Sequence, residues 1–181
     1  MARWSGSAVR LVPRWGMVGC LALEWVALAV WVGGMIVLSG AVIPAVFNTF
    51  GGQDSGGMLL TRAFEGYHRF VIGSCVILSA AVWYRRWSGD PMVEVGRSEM
   101  IVLAIMVLIA GLIMMVLHPN AVTLQAQAFA TKDETAKKMA LEALFRVLMP
   151  IRSLYMVNLI LGIVLVVIKV NRSLDLNRKQ S

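Results

Sequence analysis

The sequence is short of charge: Asp, Glu, Lys and Arg make up 15% of its 181 residues, against about 25% in an ordinary soluble domain. It is also short of histidine and cysteine, with two of each. Each shortage excludes something. There is too little polar sequence to cover the surface of a water-soluble fold of this size, so a soluble enzyme and a disordered tail are poor readings. Cys20 and Cys75 fall on separate apolar segments and make no metal-ligand spacing, which argues against a disulfide scaffold. No Ser-His-Asp set or nucleophile elbow is present. The glycine-rich stretch 51–57 lacks a following Lys-Ser/Thr and reads as a flexible turn rather than a phosphate loop. No catalytic residue, no cofactor-binding residue and no cofactor are assigned, and the chain is expected not to be an enzyme.

What the chain has in abundance is apolar sequence, 59% of residues with a mean hydropathy of +0.74. Four runs stand out, at residues 17–47, 70–84, 100–117 and 154–168. A membrane span needs about 20 apolar residues. The second and fourth runs are shorter, but Arg85, Arg86 and Lys169 at their ends can snorkel and extend them. A soluble helix carries a polar face, and none of these runs does. The expected fold is all-α: an integral membrane four-helix bundle with an extracytoplasmic amphipathic helix between the third and fourth spans. The expected organisation is a cytoplasmic N-terminal segment (1–16), a four-span membrane domain (17–170) and a cytoplasmic tail (171–181).

The formal net charge is +7. No basic stripe with interleaved aromatics accompanies it, so nucleic acid is not an expected partner. The charge instead gives orientation. Arg3, Arg10, Arg14, Arg85, Arg86, Arg97, Lys169, Arg172, Arg178 and Lys179 fall on one side of the four runs, which puts both termini in the cytoplasm and the protein in the cell (inner) membrane. Residues 118–152 then lie outside. Within them Thr131 and Glu134 make a capping-box pattern, and Ala136, Met139, Ala140, Ala143, Leu144, Val147 and Leu148 recur at helical spacing, which reads as an amphipathic helix between Pro119 and Pro150. Small residues recur two turns apart within the runs: Gly33 and Gly40, Gly73 and Ala80, Ala104 and Gly111. Such stripes let helices approach closely, within the monomer or across a dimer face.

The order of several short motifs resembles a known family. Trp31-Val32-Gly33-Gly34 leads through Pro44-Ala45-Val46-Phe47 to Phe64-Glu65-Gly66-Tyr67-His68. Leu117-His118-Pro119 follows, then Phe145-Arg146-Val147-Leu148 and Asn158 in the fourth run. Over residues 20–170 this is similar to the transmembrane protein 205-like family, the bacterial domain of unknown function 4149. The resemblance implies a compact four-helix membrane domain with a long extracytoplasmic connection before the last helix, and it supplies no catalytic residues. Members tend to carry a histidine shortly before the last helix, where this chain reads Leu148-Met149-Pro150. The Trp-x-Gly-Gly start also resembles the copper-resistance D family, whose histidine two turns earlier is here Glu24, which argues against a haem ligand in the first helix.

Few residues remain to carry chemistry. Glu24 is the only acid within an apolar run and must face the bundle, reach the interface or pair, with Arg85, Arg86 and Lys169 as candidate partners. His68 and His118 sit where the second run begins and the third ends, with Met114 and Met115 one turn before His118. Imidazole with thioether suits a soft metal such as Cu(I), and two histidines suit haem. Interfacial histidines and packing methionines are the competing reading. Asn158 reads as a structural polar residue bonding across helices. The function expected is a multi-pass membrane protein without enzymatic activity, an accessory or assembly partner. A small transporter or permeation unit, or a haem- or copper-binding protein, is the alternative. The lipid bilayer is the expected partner, with a homo-oligomer or a larger membrane complex left open.

Overall fold

The structure, a computed structural model, describes residues 14–50, 54–88, 95–131 and 133–178. Arg3, Arg10, residues 51–53, Lys132 and Lys179, on which parts of the sequence reading rest, lie outside the described residues. The helices are α1 (Arg14–Val37), α2 (Ile43–Phe50), α3 (Asp54–Ser88), α4 (Arg97–Leu112), α5 (His118–Ala130) and α6 (Glu134–Arg178). Single π-helical turns, Leu38–Val42 and Ile113–Leu117, join α1 to α2 and α4 to α5. The result is four rods long and apolar enough to cross a membrane, Trp15–Phe50, Ser55–Ser88, Arg97–Ala130 and Thr135–Asp175. The rods contain 34 to 41 residues, so at about 1.5 Å per residue they run about 50–60 Å, well beyond a hydrocarbon core of about 30 Å.

Proline explains the π turns. A proline inside a helix has no N–H to donate, and its ring crowds the carbonyl four residues earlier. Pro44 and Pro119 place that carbonyl at Gly40 and Met115, each in the middle of a π turn. The wider turn takes the backbone out of the clash while the Ile43 and His118 N–H groups reach back to Leu38 and Ile113. The first rod therefore continues through Pro44, as its apolar run does, and the third continues past residue 117, where its apolar run ends.

The segment before span four differs from expectation in the same direction. The amphipathic stretch is not a separate helix ending at Pro150. It is the first part of α6, which runs through Pro150 into the last span, and it packs along α5. Its cap is Asp133, whose carboxylate accepts from the Thr135 N–H at 3.2 Å. The Thr131 hydroxyl is turned back to the Gln127 carbonyl at 2.8 Å.

The rods alternate in direction. α1 packs on α3 and α6, α4 packs on α6, and α3 meets α4 only slightly. The buried positions repeat between the two helical hairpins. Glu24, Leu28, Trp31, Met35, Leu38 and Val46 of the first rod are buried, and so are the residues 75 positions later, Glu99, Leu103, Met106, Ala110, Ile113 and Ala121. Tyr67, Val71, Ser74, Leu78, Ala81 and Arg85 of α3 are matched 84 positions later by Ile151, Tyr155, Asn158, Gly162, Leu165 and Lys169. Both π turns and their prolines obey the first offset. The bundle is thus two copies of one hairpin, running the same way about an axis parallel to the rods. Two glycines set the closest approaches. A Cβ on Gly162 would lie 2.6 Å from Val32 Cγ2, and one on Gly34 would lie 2.8 Å from Tyr67 Cε2.

Candidate functional site

Two polar layers cross this apolar bundle. The first lies toward the chain termini, where each rod contributes one charged residue. Arg85 Nη1 donates to Glu24 Oε2 at 2.9 Å and to Glu99 Oε1 at 3.0 Å. Lys169 Nζ lies 2.6 Å from Glu24 Oε1 and 2.7 Å from Glu99 Oε1. Acid and base alternate around the bundle, so every carboxylate touches both cations and each cation touches both carboxylates. The four groups are between 1% and 8% exposed, and their charges sum to zero. Arg172, partly exposed, adds a looser contact of 3.7 Å to Glu99 Oε2. The layer obeys the hairpin repeat: each hairpin supplies one acid on its first rod and one base on its second. An ionised group in hydrocarbon costs several kcal/mol unless paired, and the repeat supplies two partners for each.

The second layer lies about 25 Å away, judged by the 17 residues of α3 between His68 and Arg85. His68 and His118 meet edge to face with ring centroids 4.6 Å apart. The His68 Nε2 shares a hydrogen bond of 2.5 Å with the Tyr155 hydroxyl, and Phe64 packs on the Tyr155 ring at 5.4 Å. The Tyr67 hydroxyl donates to the Trp31 carbonyl at 2.7 Å. That bond explains the Trp-x-Gly-Gly motif, because Gly34 leaves the space in which the Tyr67 ring lies. These groups border a cavity of about 10 Å³ lined by Trp31, Met35, Tyr67, His68, Tyr155 and Asn158, among others. Asn158 is buried there, and its Oδ1 has no hydrogen-bond partner.

The structure distributes the residues singled out from sequence over both layers. Glu24 belongs to the charged ring, whereas Arg86 turns outward toward Met100 at 3.9 Å. His68, His118 and Met114 come together around the second layer, but Met115 is 83% exposed on the outside of the bundle. The donors that converge are therefore two imidazoles and one thioether. Among the described residues no three His, Cys, Asp or Glu side chains converge as a metal site. Cys20 and Cys75 are free thiols.

Three residues of these layers are not singled out by the sequence. Glu99 stands one residue before an apolar run and looks like ordinary flanking charge. The signal that would have found it is the spacing from acid to proline, 20 residues from Glu24 to Pro44 and again from Glu99 to Pro119. Tyr67 and Tyr155 resemble interfacial aromatics until the fold places their hydroxyls on buried partners, the Trp31 carbonyl and His68 Nε2.

With the geometry in hand, comparison with known proteins gives one match. A family model described as a domain of unknown function (DUF4149) matches residues 26–130. These residues include His68, His118 and the Trp31–Tyr67 contact of the second layer and two of the four charged-ring residues, Arg85 and Glu99, while Tyr155, Asn158, Glu24 and Lys169 lie outside the match. No curated protein and no solved structure matches the chain. The match covers more than half of the sequence, and the chain belongs to the DUF4149 family, whose function is unknown.

Proposed function

We propose that this protein is a non-enzymatic subunit of a membrane assembly, a homo-oligomer or a larger complex, and that it docks through the lipid-facing side of its helices. The observation that carries this reading is where the small residues point. Gly34 and Gly162 serve the monomer's own close packing. Gly33, Gly40, Gly66, Gly73 and Gly111 have open space where a Cβ would be. On α3, Gly66, Gly73 and Ala80 recur every seven residues, and Gly73 and Ala80 are exposed. In a bilayer, helices gain no hydrophobic advantage by associating, and small residues are what permits close contact. Glu24, on which a permeation role would rest, is engaged by both Arg85 and Lys169, which favours assembly over that role. The test is native-membrane crosslinking and subunit counting by single-molecule photobleaching in lipid nanodiscs. Gly73→Leu is expected to dissolve the assembly while leaving the monomer folded. An unchanged stoichiometry would sink the proposal.

The same reading places the protein in the cell inner membrane with both termini cytoplasmic, on the strength of its Lys and Arg distribution. Cysteines introduced at Ser55 and Thr135, in a chain lacking Cys20 and Cys75, are expected to label with an impermeant thiol reagent in intact cells, and one at Gln180 is not. The reverse pattern would invert the orientation. Kinship with the transmembrane protein 205-like proteins rests on the ordered motifs and belongs to this proposal. A second reading, soft-metal binding, is favoured by the 4.6 Å approach of His68 and His118; the same approach leaves no room for a haem between the two rings, which weighs against the haem alternative. Purification from copper-fed and haem-fed cells tests it: stoichiometric ligand that disappears in a His68→Ala, His118→Ala variant would establish it, and ligand-free protein would remove it.

A further inference from the structure

The cavity in the second layer lies between the two hairpins, at the level where their repeat is broken. Met35 and Ala110 are equivalent positions and both line it, as do Val71 and Tyr155. Asn158 lines it where the equivalent residue of the first hairpin is Ser74. The interface between internal repeats, at depth in the membrane, is a recurrent place for binding sites in duplicated membrane proteins. Here the second hairpin has Tyr155 and Asn158 where the first has Val71 and Ser74, which adds hydrogen-bonding groups to a largely apolar seam.

We propose that this cavity is a binding site for one water molecule, held between Asn158 Oδ1 and the hydroxyls of Tyr155 and Tyr67. Size is compatible with a single water: about 10 Å³ is close to the smallest cavity that admits one. Chemistry sets the rest. Asn158 is 4% exposed and its Oδ1 accepts from no protein group, so the occupant must donate a hydrogen bond. The lining contains no acid. The charged ring is 11 residues along α6 at Lys169, about 16 Å away, so no lining group offsets a cation, and a neutral occupant fits the site best. The Tyr67 oxygen keeps lone pairs after its hydroxyl donates to Trp31, and the Tyr155 hydroxyl keeps a bonding position whichever tautomer His68 adopts. Water thus finds the partners that a buried molecule needs. It also extends the His68–Tyr155 bond to Asn158, so that a hydrogen-bonded line runs from the histidine pair into the interior of the bundle. This inference is independent of the assembly reading.

The test uses the full chain in nanodiscs of deuterated lipid, with asparagine side-chain amides and methionine and leucine methyl groups labelled and magnetisation transferred from water by NMR. Asn120 and Asn171 are exposed and serve as positive controls, and the buried side chains of Met106 and Leu165 as negative ones. The Asn158 side-chain amide is expected to show a water contact while Met106 and Leu165 show none. Tyr155→Phe is expected to reduce Asn158 hydration about five- to tenfold, the equivalent of one lost hydrogen bond. A dry Asn158 in the unaltered chain overturns the proposal without depending on any variant's folding. Water at Met106 equal to that at Asn158 overturns it as well, since a general leak is not a site. Unchanged hydration in Tyr155→Phe removes Tyr155 from the site and refutes the three-group geometry.

Discussion

Replacing Glu99 by Gln leaves the charged ring with Glu24 facing both Arg85 and Lys169. The contacts of 3.0 and 2.7 Å from these cations to Glu99 Oε1 become contacts to a neutral amide, and one buried positive charge is left without its partner. Leaving a buried charge uncompensated costs about 3–5 kcal/mol, whereas removing both members of a pair is close to neutral when the volume is kept. The single variants Glu99→Gln and Lys169→Met should each lose about 3–5 kcal/mol. The double variant restores neutrality and keeps the Arg85–Glu24 contact of 2.9 Å, so it should lose no more than about 1–2 kcal/mol, a coupling of several kcal/mol between the two positions. The assay is reversible unfolding in mixed dodecylmaltoside–SDS micelles, followed by tryptophan fluorescence. If the single variants cost under about 1 kcal/mol, the ring is solvated in the way surface pairs are. If the double variant costs the sum of the singles, the four residues do not act as one neutral unit.

Other consequences follow from the packing. Gly34→Ala places a methyl group 2.8 Å from Tyr67 Cε2, and should cost about 1–3 kcal/mol by displacing the ring from the Trp31 carbonyl. Unfolding of the variant alone and combined with Tyr67→Phe checks this, because the hydroxyl's share should vanish in the pair. Gly162→Ala meets Val32, a stiff β-branched side chain, at 2.6 Å, and should separate α1 from α6. A longer distance between spin labels on the two helices would register it. Tyr155→Phe removes the partner of His68 Nε2 and should lose about 1 kcal/mol in the same unfolding assay. A larger loss from Phe64→Leu than from Tyr155→Phe would show that ring packing, not the hydroxyl, holds this layer.

The all-helical class and the four apolar rods were legible from composition and run length alone. In hydrocarbon the backbone can satisfy its hydrogen bonds only within a helix or a closed barrel, so runs this apolar have one outcome at each position where they occur. Glu24 was also legible, because a lone acid in such a run has to be compensated. Its compensation was legible only in part: Arg85 and Lys169 are conspicuous at the ends of their runs, while Glu99 looks like any flanking acid until α4 is wound through it. Helix ends were misread at Pro119 and Pro150, which read as boundaries in the sequence, whereas the first run reads through Pro44. Pro44 and Pro119 are accommodated by π turns and Pro150 by continuous helix, because neighbouring rods hold the backbone in place. The grouping of His68, Tyr155 and Asn158 belongs to the tertiary structure alone. These residues lie on two helices separated by more than 80 positions, and which faces of two uniformly apolar helices meet is decided by close approaches such as Gly162 on Val32, not by any hydrophobic periodicity. A helix apolar on every side carries no amphipathic signal of its own interior.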